Sequence, residues 1–178
     1  MKKTLAILVA CLLLLGLCAC ETGPSLVGTT PVDNTPTTEA TSDPADKTFK
    51  VGDVVELDGV VVSFVGVTES TGSDFYKPES GNVYVLCEFE IANNSDEELA
   101  VSSMMSFKAY CDDYSCDYSL GALMAKGDKE QLDGSVATGK KMKGVVGYEV
   151  PADWKELEIH YITNILSSNK IVFVATNN

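Results

Sequence analysis

The sequence NVYVLCEFEIA at residues 82–92 alternates between two kinds of side chain. Side chains of an extended strand point alternately to opposite faces, so this pattern puts an unbroken apolar row on one face. The other face combines Tyr84 and Leu86 with the acids Glu88 and Glu90. Such alternation predicts a β-strand with one face against a hydrophobic core. The apolar row consists of Val83, Val85, Cys87, Phe89 and Ile91.

Short runs of β-branched and aromatic residues flank this strand on both sides, separated by turn residues. One pair of runs encloses Asp58-Gly59, a dipeptide that favours a tight hairpin turn. No long stretch has the 3.6-residue period of an amphipathic helix. The pattern predicts an all-β fold of about eight strands, an immunoglobulin-like β-sandwich, with a small closed barrel as the alternative. The other runs are residues 53–57, 60–68, 99–102, 105–111, 116–119, 140–150, 157–162 and 171–175.

The N-terminus has the features of an export signal. Lys2 and Lys3 precede an apolar run, Leu5 to Leu17, which is 13 residues long. A membrane-spanning helix needs about 20 apolar residues, so this run fits a secretory signal better. Its end, Leu17-Cys18-Ala19-Cys20, resembles the lipobox of bacterial lipoproteins. We therefore expect a signal peptide at residues 1–19 and lipidation of Cys20, with an ordinary cleaved signal as the alternative. The acyl chains would hold the protein on the extracytoplasmic face of the cell membrane.

The segment after Cys20 has a different composition. Residues 21–47 contain seven threonines, four prolines and five acids, with one lysine. Such a segment buries too little apolar area to offset the entropy lost on ordering. We expect residues 20–47 to form a disordered tether, and residues 48–178 to form the sandwich domain.

The overall charge and the lack of arginine argue against a nucleic-acid partner. The chain carries a formal net charge of −13, and all 13 of its basic residues are lysines. Nucleic-acid binding depends on dense positive potential, so we expect no nucleic-acid partner.

The sequence also lacks the motifs of common catalytic sites. It has one histidine, His160, and no nucleophile elbow, phosphate loop or dinucleotide fingerprint, so we expect no enzyme and no cofactor. A hydrolase would need a pocket containing His160 and a carboxylate, whereas a satisfied surface histidine is the simpler interpretation. The acids Asp112, Asp113 and Asp117 do not have the spacing of a calcium loop, so we expect no metal site there.

Three cysteines lie in the predicted domain. Cys111 and Cys116 bracket four residues, a spacing at which a hairpin can place two cysteines face to face. Because exported thiols tend to pair, we predict a disulfide between them. Cys87 belongs to the apolar row of its strand and is expected to be an inert core residue. Pairing of Cys87 with either of the others, or free thiols, are the alternatives.

Four aromatic residues lie in predicted loops or beside a predicted hairpin, where strand alternation gives no reason for them. They are Phe75, Tyr76, Tyr114 and Tyr118. Tyrosine offers a large contact area at a small entropic cost, so these residues are candidates for binding a protein or glycan partner. The alternative is that Phe75 and Tyr76 fold back and close an open end of the sandwich.

Several short motifs occur in a fixed order through the domain. They are Val51-Gly52-Asp53, Gly81-Asn82-Val83-Tyr84-Val85, Asn93-Asn94-Ser95-Asp96, Asp112-Asp113-Tyr114 with Tyr118, Thr138-Gly139-Lys140-Lys141 and Val150-Pro151. Together with the lipobox, this series resembles the telokin-like, immunoglobulin-like domain of unknown function found on bacterial lipoproteins, mostly Gram-positive. The resemblance implies a β-sandwich outside the membrane and implies no activity.

These observations lead to one functional hypothesis and two alternatives. The hypothesis is a surface-anchored lipoprotein whose sandwich is an extracytoplasmic binding module. The first alternative is a structural or accessory envelope protein with no dedicated ligand. The second is an unrecognised hydrolase.

Overall fold

The computed structural model describes residues 23–29, 47–163 and 169–177. These residues form twelve strands and one short helix. No helix among them is long and apolar enough to cross a membrane. The elements are β1 Ser25–Thr29, β2 Thr48–Lys50, β3 Asp53–Leu57, β4 Val60–Ser70, β5 Asn82–Asn93, β6 Leu99–Ser102, β7 Phe107–Cys111, β8 Tyr114–Cys116, α1 Leu120–Met124, β9 Asp133–Val136, β10 Lys141–Pro151, β11 Glu156–Ile162 and β12 Lys170–Thr176.

Two five-stranded sheets make up most of the structure. The first has the strand order β1-β3-β4-β5-β10, and the second has the order β2-β12-β11-β7-β8. Strands β6 and β9 form a separate two-stranded sheet. In each large sheet, the first and last strands of the order do not pair with each other. The structure is therefore a β-sandwich and not a closed barrel. The predicted all-β sandwich is confirmed, although with more strands than the eight or so expected.

The core lies between the two large sheets. Phe64 on β4 stacks on Phe89 of β5 with ring centroids 4.6 Å apart, and Phe173 on β12 lies 5.5 Å from Phe89. The apolar row predicted for residues 82–92 points into this core, where Val85, Cys87, Phe89 and Ile91 are fully buried. Strand alternation therefore assigned the inward face of β5 correctly.

The outer face of β5 is covered at one point by helix α1, which the sequence analysis missed. Ser119 caps this helix by accepting a hydrogen bond from the Ala122 N–H at 3.2 Å. The helix lies against Tyr84 and Leu86, and both of these side chains are buried. Close approach is possible because β10 has a glycine here: a Cβ on Gly147 would lie 2.7 Å from the Cβ of Ala122. Five residues are too few to display a 3.6-residue period, which explains the omission.

The N-terminal side of the domain differs from the prediction at one place. Strand β1, Ser25–Thr29, pairs antiparallel with β3 although it lies inside the range predicted to be disordered tether. Its residues SLVGT include two exposed apolar side chains, Leu26 and Val27, so main-chain pairing with the sheet edge holds it in place. The predicted signal peptide, Cys20 and residues 30–46 lie outside the described residues.

Candidate functional site

Two of the predicted contact loops lie at the same end of the sandwich. The β10–β11 connection joins them: the Ala152 N–H donates to the Gly81 carbonyl at 2.9 Å. On its other side, the Asp112 carboxylate in the β7–β8 hairpin accepts from the N–H groups of Lys155 and Glu156, at 3.0 and 2.9 Å. We call this end, formed by residues 71–81, 152–155 and the hairpin tip, the aromatic end. The sequence alone does not show that the two loops share an end.

The loop that carries Phe75 is held in a defined turn. The Ser73 N–H donates to the Tyr76 carbonyl at 2.7 Å, and the Tyr76 N–H donates to the Ser73 hydroxyl at 3.2 Å. Gly72 has a φ of +90°, and a Cβ there would collide with the backbone of Tyr76 and Lys77. Glycine is therefore required at the base of this turn. The turn presents Phe75 at its tip.

Three of the four predicted contact residues are exposed at this end. Phe75 is 91% exposed, Tyr114 is 80% exposed and Tyr76 is 44% exposed. The exposure of Phe75 and Tyr76 contradicts the alternative in which these two residues fold back and close the end of the sandwich. Trp154 takes that position: it is 2% exposed, belongs to the core, and its indole N–H donates to the Glu69 carboxylate at 2.7 Å.

Tyr118 does not belong to the exposed group. It is half-buried and packs against the cluster of Tyr84, Leu86 and helix α1. Its backbone forms a β-bridge with Tyr148 in the middle of β10. Its aromatic ring therefore has a packing reason that the sequence analysis could not see, because helix α1 was not predicted.

The hairpin between β7 and β8 is tighter than predicted. Asp112 and Asp113 have φ angles of +47° and +71°, as in a two-residue type I′ turn. Cys111 consequently pairs with Tyr114, and Cys116 pairs with Ala109. The prediction that Cys111 and Cys116 face each other is wrong, because a face-to-face pair at this spacing needs a four-residue loop, whereas only Asp112 and Asp113 form the turn. Cys87, Cys111 and Cys116 are all free thiols in this structure.

Burial governs the chemistry of these thiols. It raises the pKa of Cys116 to about 12, with Cys111 and Asp117 adding to the effect. Burial also raises the pKa of Cys111, followed by the charge of Asp112, and it raises the pKa of the fully buried Cys87. Because the thiolate is the reactive form, the raised pKa makes each of the three thiols less nucleophilic at neutral pH.

A groove of about 520 Å³ runs between β8 and the end of β10 at the aromatic end. Tyr114, Val150 and Pro151 give it an apolar part, and Lys155 is the one cation among its described lining residues. Carboxylates supply most of its charge, so the groove offers aromatic area beside hydrogen-bond acceptors. The acids are Asp112, Asp117, Glu149 and Asp153.

Glu149 also fixes the Phe75 loop, a role that the sequence analysis missed. Its Oε1 accepts hydrogen bonds from the Glu79 N–H at 2.6 Å and from the Asn82 side-chain amide at 3.1 Å. The partner Glu79 lies 70 positions away in sequence. No local pattern could have indicated this contact, since it depends on the pairing of β5 with β10.

His160 lies in a small pocket of about 190 Å³ on the outer face of the second sheet. The residue is 8% exposed, so the expectation of a surface histidine is wrong. Its Nε2 contacts Glu158, its Nδ1 lies 3.3 Å from Lys170 Nζ, and its ring packs against Tyr110. The pocket does contain carboxylates, but among the described lining residues no serine, threonine or cysteine offers a nucleophile. No group of three or more potential metal ligands occurs in the described part of the chain.

The architecture defines an all-β sandwich domain that presents connecting loops at its two ends. The chain belongs to the family described as a domain of unknown function, DUF4352, whose model matches residues 49–171. The match confirms the prediction that the chain carries a domain of unknown function. It says nothing about the telokin-like subtype.

Two solved structures from Bacillus subtilis have a similar fold. The YcdA protein of Bacillus subtilis, provisionally described as a lipoprotein, is 17% identical with a TM-score of 0.57 over 67% of this chain and 37% of that one. This chain thus spans about a third of YcdA. The YjhA protein of the same species is also 17% identical, with a TM-score of 0.52 over 74% of this chain and all of that one. An uncharacterised β-sandwich protein of Clostridium difficile is similar as well, at 17% identity over 80% of this chain and all of that one, with a TM-score of 0.48. Comparison with curated proteins finds no match.

Proposed function

We propose that this chain is a lipoprotein anchored at Cys20 on the extracytoplasmic face of the cell membrane, and that its sandwich binds a protein or glycan partner through the aromatic end. The observation that carries the proposal is the presentation of Phe75, 91% exposed at the tip of a hydrogen-bonded turn. An apolar ring held in water by an ordered turn gains nothing for folding. It does avoid the entropic cost of ordering a loop when a partner binds.

The neighbouring groove supports the same function. Tyr114, which is 80% exposed, lines a groove that combines apolar area with carboxylates. Aromatic rings beside a few polar groups are typical of recognition surfaces for proteins and of sites for small ligands. The binding residues in this proposal are Phe75, Tyr76 and Tyr114, while Tyr118 serves packing.

The membrane anchor rests on Leu17-Cys18-Ala19-Cys20 after the 13-residue apolar run. The immunoglobulin-like, telokin-like subtype and the Gram-positive setting belong to this proposal as well. Cys20→Ala should release the protein from the membrane or leave a longer, unprocessed precursor. Mass spectrometry of the mature N-terminal peptide tests this directly, and a peptide without acyl mass would refute the anchor.

Binding, and not catalysis, is the proposed activity. The histidine that a hydrolase would need is engaged with Glu158 and Lys170 in a pocket whose described lining has no serine, threonine or cysteine. The competing hypothesis of a structural envelope protein has no use for an exposed aromatic turn. The two hypotheses differ in whether the aromatic end contacts another molecule in intact cells.

Site-specific photo-cross-linking tests the proposal. A photoreactive phenylalanine analogue at Phe75 or Tyr114 should give one discrete adduct in intact cells, and protease or glycosidase digestion will identify the adduct as protein or glycan. The analogue at Met124, which is 52% exposed on helix α1, is the matched control and should give none. Tyr76→Ala combined with the analogue at Phe75 should abolish the adduct while the melting temperature stays within a few degrees. Equal adducts at all three positions, or none at Phe75 and Tyr114, would contradict the proposal.

A further inference from the structure

A second groove runs along strand β6 at the end of the sandwich opposite to the aromatic end. It has a volume of about 620 Å³, and all four residues of β6, Leu99–Ser102, line it. Successive side chains of a strand point to opposite faces, so a cavity that touches four in a row lies along the strand's edge. Val60, Met105 and Ile162 form its apolar wall. We call this cavity the β6 groove.

One part of the β6 edge in this groove, at Ala100, has no main-chain partner among the described residues. Among the described strands, β6 pairs with β9 alone. On its other edge, the Ser102 N–H donates to the Ser106 hydroxyl at 3.1 Å, and the Ser102 carbonyl accepts from the Ser106 N–H at 2.8 Å. Alternate residues of a strand direct their main-chain groups to the same edge, so Ala100 directs its N–H and carbonyl into the groove. An incoming extended chain could pair with Ala100 there.

The rim of the groove is acidic and well ordered. It carries four exposed acids, and none of them forms an ion pair in the described part of the chain. Asn93, which is fully buried, holds the turn that presents three of these acids: its amide donates to the carbonyls of Glu97 and Val136, at 2.7 and 2.8 Å. No lysine occurs among the described lining residues. The four acids are Asp58, Asp96, Glu97 and Glu98.

We propose that the β6 groove binds an extended, lysine-rich segment of another polypeptide by adding it as a strand to β6. The open edge at Ala100 favours a peptide over any other cation, since a polyamine has no alternating N–H and carbonyl groups. The acidic rim selects basic side chains. The chain's own residues 30–46 do not fit, because they carry four acids and no lysine. A second copy does not fit either, because it carries the same net charge of −13.

A synthetic peptide tests this assignment on the whole protein. The probe is a fluorescein-labelled peptide of four lysine-valine repeats, and fluorescence anisotropy measures its binding. Two control peptides carry N-methyl groups on the backbone amides, one at every lysine and the other at every valine. In an extended strand, each control peptide loses its N–H donors on one edge only. One methylated form should bind like the parent, while the other should lose at least about tenfold in affinity. Equal binding of both forms would overturn strand addition.

Charge variants test the rim. Glu97→Gln combined with Glu98→Gln should weaken the lysine-valine peptide about fivefold. The matched control, Asp128→Asn with Glu130→Gln, makes the same change in net charge at exposed positions outside the groove and should have no effect. An equal loss of peptide affinity in both variants would show that binding depends only on the net charge of the protein, and would refute the site.

Two further probes decide between occupants. A peptide of four glutamate-valine repeats should not bind, and spermine should not displace the lysine-valine peptide at equal charge concentration. Displacement by spermine would mean a polyamine site, and binding of the acidic peptide would contradict the assignment. Tyr76→Ala with Tyr114→Ala should leave peptide binding unchanged, so this site and the proposed function can fail separately.

Discussion

The carboxylate of Glu149 on β10 accepts the backbone N–H of Glu79 at 2.6 Å, and this bond ties the Phe75 loop to the strand that borders the Tyr114 groove. The same oxygen also accepts from the Asn82 side-chain amide at 3.1 Å. One acid thereby fixes the position of a loop that contributes nothing to the core. Together with the Ala152–Gly81 bond and the Ser73–Tyr76 turn, this carboxylate orders the aromatic end, and it also lines the Tyr114 groove.

Glu149→Ala should therefore loosen the loop while leaving the fold intact. The N–H of Glu79 would lose its acceptor, and we expect its hydrogen exchange to accelerate about tenfold, as for the loss of one hydrogen bond of about 1.4 kcal/mol. Glu149→Gln keeps an oxygen acceptor and should restore most of the protection. Glu156→Ala removes an exposed acid at the same end and serves as the control. Unchanged exchange at Glu79 in Glu149→Ala would show that the loop is held by other contacts.

The close approach of helix α1 to β10 makes a second prediction. A Cβ on Gly147 would lie 2.7 Å from the Ala122 Cβ, so Gly147→Ala must push the helix off Tyr84 and Leu86. Such overpacking costs about 1–3 kcal/mol of unfolding free energy, measurable by urea titration. Gly66→Ala is the matched control in a strand, because a Cβ there would meet nothing within 4 Å.

The second-site variant Ala122→Gly removes the atom that collides. Added to Gly147→Ala, it should recover part of the lost stability, although glycine in a helix itself costs about 1 kcal/mol. Independent, additive effects of the two substitutions would contradict the proposed collision.

Local patterns predicted the parts of this fold that depend on local sequence. The alternation of residues 82–92 assigned Val85 and Phe89 to the core because side-chain direction in a strand repeats every two residues. The same alternation put Tyr84 and Leu86 outside, where solvent was expected and a helix was found. What covers an outer face is decided by a segment more than 30 residues away, which periodicity does not reveal.

The candidate site divides in the same way. The loop context leaves open whether Phe75 and Tyr76 bind a partner or close the end of the sandwich, and in the structure Phe75 and Tyr114 are exposed. The shared end, the role of Glu149 and the burial of Tyr118 all follow from strand pairing across long sequence separations. The wrong pairing at Cys111 has a local cause: the left-handed conformations of Asp112 and Asp113 allow a two-residue turn, and a disulfide would need a four-residue loop.

The state of the cysteines gives a third prediction. The sequence predicts a Cys111–Cys116 disulfide, whereas the structure has three free thiols in the domain. We expect peptide mapping after denaturation without reductant to find Cys87, Cys111 and Cys116 all alkylated. In the native protein at pH 8, alkylation should be at least about a hundredfold slower than for free cysteine, because burial raises the pKa of each thiol, that of Cys116 to about 12. A linked Cys111–Cys116 peptide would reinstate the disulfide, and would require the hairpin register to change.

The last prediction concerns the acid stability of the sheet. Glu88 on the outer face of β5 forms ion pairs with Lys129 and with Lys143, the latter at 2.9 Å. The hydrogen bond from Lys129, followed by that from Lys143, lowers the pKa of Glu88 against the opposing effect of burial. Since the folded pKa lies below the unfolded value, the stabilisation is present above the unfolded pKa, about 4.3, and is lost as the pH falls through the folded pKa.

Glu88→Gln should therefore lower the unfolding free energy at pH 7 by about 0.5 kcal/mol, the size expected for a partly exposed ion pair. The difference between the variant and the wild type should shrink below pH 4 and vanish once Glu88 is protonated in both the folded and unfolded states. It should also shrink in concentrated salt, because screening weakens exposed charge pairs. Urea titrations of both proteins across this pH range provide the measurement, and Glu90→Gln, which removes the single ion pair with Lys141, should have a smaller effect. A stability difference that stays constant down to pH 2 would show that Glu88 acts through packing and not through its charge.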